Sequence, residues 1–203
     1  MTTLRSLLFF VWIAVTVIMI LSISDRFVQG SRVGSSSSFL TYENPDYNLK
    51  IKVPPNWTVG EENLTSPYIV RIIPNDFLAE RTSPVGIYIV ADSPPPDRDT
   101  LSEWAANTES LFEAAGRLGY LRYIDSTNTT LSGMPAYSIS YYDFTNSTVT
   151  PIPNLKVTET TMFVPYTSGN VLFTVQYYAE PKYFDKYLHE SRKAIESFQI
   201  TNE

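Results

Sequence analysis

Tyr47-Asn48-Leu49-Lys50-Ile51-Lys52-Val53-Pro54-Pro55-Asn56-Trp57 sets how the rest of this chain is read. Tyr47, Leu49, Ile51 and Val53 alternate with Asn48, Lys50 and Lys52, so a strand built on them turns one face to a core and the other to water. This is the pattern of an antiparallel sheet. Two prolines and an asparagine then end the strand, because proline lacks the amide that a ladder needs. Alternation or short apolar runs recur at residues 68–73, 85–90, 120–124, 137–144, 157–166 and 171–178. Together they predict a sheet of about six or more strands, joined by hairpin turns such as Thr167-Ser168-Gly169-Asn170.

Two segments change period. Thr100-Leu101-Ser102-Glu103 is a capping box, in which the threonine hydroxyl accepts from the Glu103 amide and the carboxylate reaches back. Leu101, Trp104, Ala105, Thr108, Leu111, Phe112 and Ala115 then recur at three- and four-residue spacing until Gly119 supplies a stop. A second helix opens at Pro181 and buries Tyr183, Phe184, Tyr187, Leu188, Ala194 and Ile195. Two amphipathic helices beside a half-wetted antiparallel sheet make an α+β layered sandwich.

The N-terminal 38 residues differ from the rest. Residues 6–24 hold 19 consecutive uncharged side chains, and as a helix they would reach roughly 28 Å, close to the hydrocarbon thickness of a bilayer. Residues 1–30 therefore read as a transmembrane signal-anchor, or as a signal peptide cut near Val28-Gln29-Gly30. Residues 31–38 are a Gly/Ser-rich linker, and residues 39–203 form the domain. With no second span, the expected topology is single-pass with the domain outside the cytoplasm, or secreted if the leader is cut. Sequons at Asn56, Asn63, Asn128 and Asn146 fit a translocated glycoprotein.

The domain carries 12 basic against 20 acidic residues, a net charge of −8, which excludes nucleic acid as a partner and argues against adhesion to anionic lipid. There is no cysteine, so disulfides, zinc-thiolate sites and thiol nucleophiles are excluded together. His189 is the only histidine and reads as a solvated helix residue, and there is neither a nucleophile elbow nor a phosphate-cradling glycine loop. No cofactor is expected. Asp92, Asp97 and Asp99 bracket a proline loop whose carboxylates are candidate calcium ligands, with helix-capping as the ordinary alternative. The adjacent pairs Tyr141–Tyr142 and Tyr177–Tyr178 must point to opposite sheet faces, and Trp57 and Trp104 read as core anchors.

In order and motif the chain resembles the PsbP-like domain family, whose fold is shared with the Mog nuclear-import factors that bind the GTPase Ran. The carriers are the stretch from Tyr42 to Trp57, Thr100-Leu101-Ser102-Glu103-Trp104, Leu131-Ser132-Gly133-Met134-Pro135-Ala136-Tyr137, and the strand, helix and Ser197-Phe198 ending from Val171. The resemblance implies an αβα sandwich with a central antiparallel sheet used for binding; plant members are extrinsic subunits of photosystem II that support calcium and chloride retention. A plant transit peptide is rich in Arg and Ser, whereas this N-terminus is apolar, so the chain is more similar to anchored or secreted PsbP-like proteins of non-photosynthetic microbes. The resulting expectation is a non-catalytic accessory module with a protein partner in a membrane complex. Calcium binding is the alternative, and a hydrolase using two carboxylates about 5–9.5 Å apart is the third reading.

Overall fold

The computed structural model describes residues 38–61, 68–79, 83–94, 100–144, 154–166 and 169–201. The apolar stretch 6–24, the linker up to residue 37, and Asn63, Asp97, Asp99 and Asn146 lie outside them. Among the described residues no helix is long and apolar enough to cross a membrane.

Among the described residues, ten strands and two α-helices follow one another as β1 (Leu40–Asn44), β2 (Leu49–Val53), β3 (Trp57–Glu61), β4 (Tyr68–Pro74), β5 (Val85–Asp92), α1 (Leu101–Arg117), β6 (Leu121–Leu131), β7 (Met134–Asp143), β8 (Leu155–Tyr166), β9 (Gly169–Ala179), α2 (Pro181–Glu196) and β10 (Gln199–Ile200). A seven-stranded antiparallel sheet runs β3-β4-β5-β9-β8-β7-β6, and a small sheet runs β1-β2-β10. The α+β class and the two main helices are as the sequence predicts.

Both ends of α1 follow from local chemistry. The Glu103 amide donates to Thr100 Oγ1 at 3.3 Å, but the carboxylate takes the threonine hydroxyl at 2.8 Å, in place of the backbone amide that a full capping box uses. At the other end Gly119 has φ +77, its amide reaches Gly116 O, and the Tyr120 amide reaches Ala115 O. These are the paired bonds of a Schellman stop, which only a residue at ease in the left-handed region closes without strain. The β6–β7 hairpin turns on Ser132 (φ 53) and Gly133 (φ 75), the mirror-image turn whose twist suits right-twisted strands.

The helices lie on opposite faces of the large sheet. On the α2 side, Ile87 and Ile89 of β5, Phe173, Val175 and Tyr177 of β9, and Met162 and Val164 of β8 pack with Phe184, Tyr187, Ala194, Phe198 and the small sheet's Leu49, Ile51 and Val53. Trp57 anchors this core, edge-on to Tyr187. On the other side Tyr137 and Ile139 of β7 meet Leu101, Trp104, Ala105 and Phe112 of α1. Trp104 is only half-buried, a weaker anchor than its sequence suggests, because α1 lies over the edge pair β6–β7 where the sheet runs out. The tyrosine pairs divide as expected: Tyr177 enters the α2 core, while Tyr141 and Tyr178 cluster on the α1 side.

Candidate functional site

The strand register brings polar side chains into rows on the α1 side of the sheet. Ile139, Glu159, Gln176 and Tyr88 stand abreast across β7, β8, β9 and β5, and Tyr141, Val157, Tyr178 and Gly86 form the next row. Glu159 is the centre of this arrangement. Its Oε1 accepts from Tyr141 Oη at 2.6 Å and from Gln176 Nε2 at 2.8 Å, and its other oxygen makes no hydrogen bond among the described residues.

Burial holds the Glu159 carboxyl above the usual carboxylate range, against the opposing pull of those two donors. The residue as a whole is half-buried, and desolvation of its carboxyl is the leading cause of that raised proton affinity. Burial likewise raises Tyr141 well above an ordinary phenol, helped by the charges of Glu159 and Asp143. Phe112 of α1 closes on Tyr141 edge-on, 4.7 Å between centroids. Tyr178 is 5% exposed, and its hydroxyl has no hydrogen-bond partner among the described residues. That ring lies against Gly86, where an added Cβ would come within 2.5 Å of Tyr178 Oη.

A second polar group sits where α1 meets the sheet edge. Glu109 Oε1 accepts from Tyr137 and from Ser126, and Tyr123 donates on to Ser126 at 2.8 Å. The Tyr137 bond, with the Ser126 bond beside it, holds Glu109 below its ordinary value. Burial first, and then the Glu109 bond, push Tyr137 up to about 12. Chemically, both groups are hydrogen-bonded carboxyls. They can orient a bound polar group.

Of the residues marked by sequence, Asp92, Asn56, Asn128 and His189 lie among the described residues. Asp92 ends β5, is partly buried, and accepts from the Ser93 amide at 2.7 Å; burial raises its carboxyl. Among the described residues no three His, Asp or Glu side chains stand together as a metal site. Asn56 is exposed in the tight turn before β3 with φ 62, and Asn128 is exposed on β6. His189 lies on the exposed side of α2. Two open grooves flank β10. One of about 450 Å³ runs along Ser132, Gly133 and Ile200, and one of about 520 Å³ is bordered by Lys50, Lys52, Lys193 and Glu196.

Sequence reading missed Glu159. A signal was present: it is the one carboxylate in the run 155–166, at the same strand parity as Val157 and Thr161. That parity put it on an inward face.

This architecture is a PsbP-like fold. The chain is similar to the solution structure of cyanobacterial PsbP (CyanoP) from Synechocystis sp. PCC 6803, with TM-score 0.55 and 15% identity over 85% of this chain and 98% of that one. It is similar also to LpqN of Mycobacterium tuberculosis, a protein involved in cell envelope biogenesis, with TM-score 0.54 and 15% identity over 81% of this chain and 91% of that one. The Ran-binding protein Mog1p of Saccharomyces cerevisiae aligns at TM-score 0.46 and 9% identity, over 81% and 96% of the two chains. No protein-family profile matches the sequence, and comparison with curated proteins finds no match.

Proposed function

We propose that this chain is a membrane-tethered, extracytoplasmic binding module that acts as an accessory subunit of a protein assembly and does no chemistry itself. One observation carries the reading: a self-contained PsbP-like domain is joined through a Gly/Ser spacer to 19 uncharged residues long enough to span a bilayer. The role of one fold neighbour agrees with it, since LpqN is involved in cell envelope biogenesis. Two open grooves beside β10 offer room for a partner, one of them bordered by Lys50, Lys52 and Lys193, and Glu196 borders both.

The test is fractionation followed by cross-linking. Full-length protein should stay with membranes through carbonate extraction, its domain should be open to protease from outside, and cross-linking should capture a defined partner. Release into the soluble fraction would remove the tether, and a chain that captures nothing under cross-linking would remove the accessory role. Calorimetry with calcium separates this from a cation-binding role for Asp92, Asp97 and Asp99: saturable heat, lost in Asp97→Asn, would move the function to that loop.

A further inference from the structure

The large sheet ends in two unlike edges. β3 offers five residues, whereas β6 offers eleven, with no proline and only Arg122 and Asp125 charged. Among the described residues no strand pairs with the outer side of β6, and a long edge of this composition presents a row of amides and carbonyls to another strand. Its first half is also greasy. Leu118 is 58% exposed, Tyr120 54% and Tyr123 43%, and Ile124 and Phe144 are exposed beside them, so five of the six exposed large hydrophobic side chains among the described residues meet at this corner. Single exposed apolar residues need no explanation; a contiguous group at an open strand edge does.

A bulge makes this edge self-complementary. Residues three apart on a regular strand face opposite sides, yet Arg122 stands opposite Tyr142 and Asp125 opposite Ser140, because the register shifts between Tyr123 and Asp125. Tyr142 and Ser140 are two apart on β7, so Arg122 and Asp125 project from one face. Neither has an ion-pair partner among the described residues; Arg122 rests on the Tyr142 ring at 4.5 Å, and that ring stacks on Phe144. In an antiparallel pair the residues directly opposite share a face, and a two-fold axis repeats every contact twice.

We propose that two copies of this chain associate through β6, residues 121–126 pairing antiparallel about a two-fold axis between Tyr123 and Ile124. Each Arg122 then meets Asp125 of the second copy, and the apolar corners of both copies cover one another. The inference does not depend on the membrane tether, although confinement to one bilayer would raise the effective concentration of the two edges.

The absence of cysteine makes the register testable in the full-length protein, in detergent or in membranes. A single cysteine at position 124 lies beside the axis, within disulfide reach of its mate, whereas one at 129 on the same strand lies about 36 Å from its mate. Oxidation should therefore cross-link Ile124→Cys and leave Thr129→Cys without a disulfide although still associated. By sedimentation, Arg122→Asp and Asp125→Arg should each weaken the dimer by about tenfold, and the double swap should restore it, since reversal turns two attractions into two repulsions. Circular dichroism confirms that each variant is folded. Cross-linking at both positions alike, a monomeric wild type at every concentration, or a double swap that fails to restore association would overturn the proposal.

Discussion

The two faces of the seven-stranded sheet grow from the same strands and differ in what they bury. Toward α2, β5 and β9 present Ile87, Ile89, Phe173 and Val175, and the one hydroxyl among the largest buried side chains, Tyr177 Oη, is satisfied by Phe184 O at 2.7 Å. Toward α1 the same strands present Gln176 and Tyr178, beside Glu159 and a Thr161–Thr174 hydroxyl pair on β8 and β9. The first face gains free energy from apolar burial; the second spends part of that gain on desolvated polar groups. Such groups mark the side of a domain where stability has been traded for another property.

The largest test of this contrast is truncation on each side. Phe198→Ala, in the α2 core, should cost about 3–5 kcal/mol in urea unfolding, whereas Trp104→Ala, half-buried on α1, should cost about 1–2 kcal/mol. Equal losses would show that the faces are energetically alike. Gly86→Ala should come next, at about 1–3 kcal/mol, because its Cβ meets Tyr178 Oη first. In a Tyr178→Phe background that cost should shrink, and Tyr178→Phe alone should stabilise by about 1 kcal/mol by removing an unpaired buried hydroxyl.

Glu159→Gln sharpens the contrast through pH. The folded carboxyl is raised, so the native state binds this proton more tightly than the unfolded chain does, and the penalty grows as pH rises from the unfolded value, 4.5, through the folded one. Glutamine keeps an oxygen for Tyr141 and Gln176 and carries no charge, so the variant should gain about 1 kcal/mol at neutral pH and converge with wild type in acid. The smallest effect is at Glu109, where the sign reverses. Its lowered folded value stabilises above 4.5 and is lost as pH falls through that folded value, so Glu109→Gln should remove a weak, screened acid dependence in melts taken across pH. A Glu159→Gln variant that loses stability at neutral pH would mean the carboxylate is a net stabiliser, and the α1 face no exception to the other.

Much of the fold is legible because its signals are local. The alternation at Leu49, Ile51 and Val53 marks β2, the apolar runs mark β5, β8 and β9, and Thr100 with Gly119 marks both ends of α1. Residues 125–130 are not legible as strand, since an edge strand has no dry side to impose a period, and the structure extends β6 through them on pairing to β7 alone. β1, β3 and β10 are missed for a similar reason: each is five residues or fewer and owes its form to one neighbour.

Sequence by itself determined the class of this protein, the two helices, most of the strands and the split of the tyrosine pairs, because hydrophobic period and capping depend only on residues within a turn or two of one another. Tertiary structure decided the rest. It set β5 beside β9 across more than eighty residues, gave Glu159 its enclosing tyrosine and glutamine, laid Tyr178 on Gly86, and through one bulge turned Arg122 and Asp125 to the same side. Burial and pairing are set by partners far along the chain, and no local window contains them.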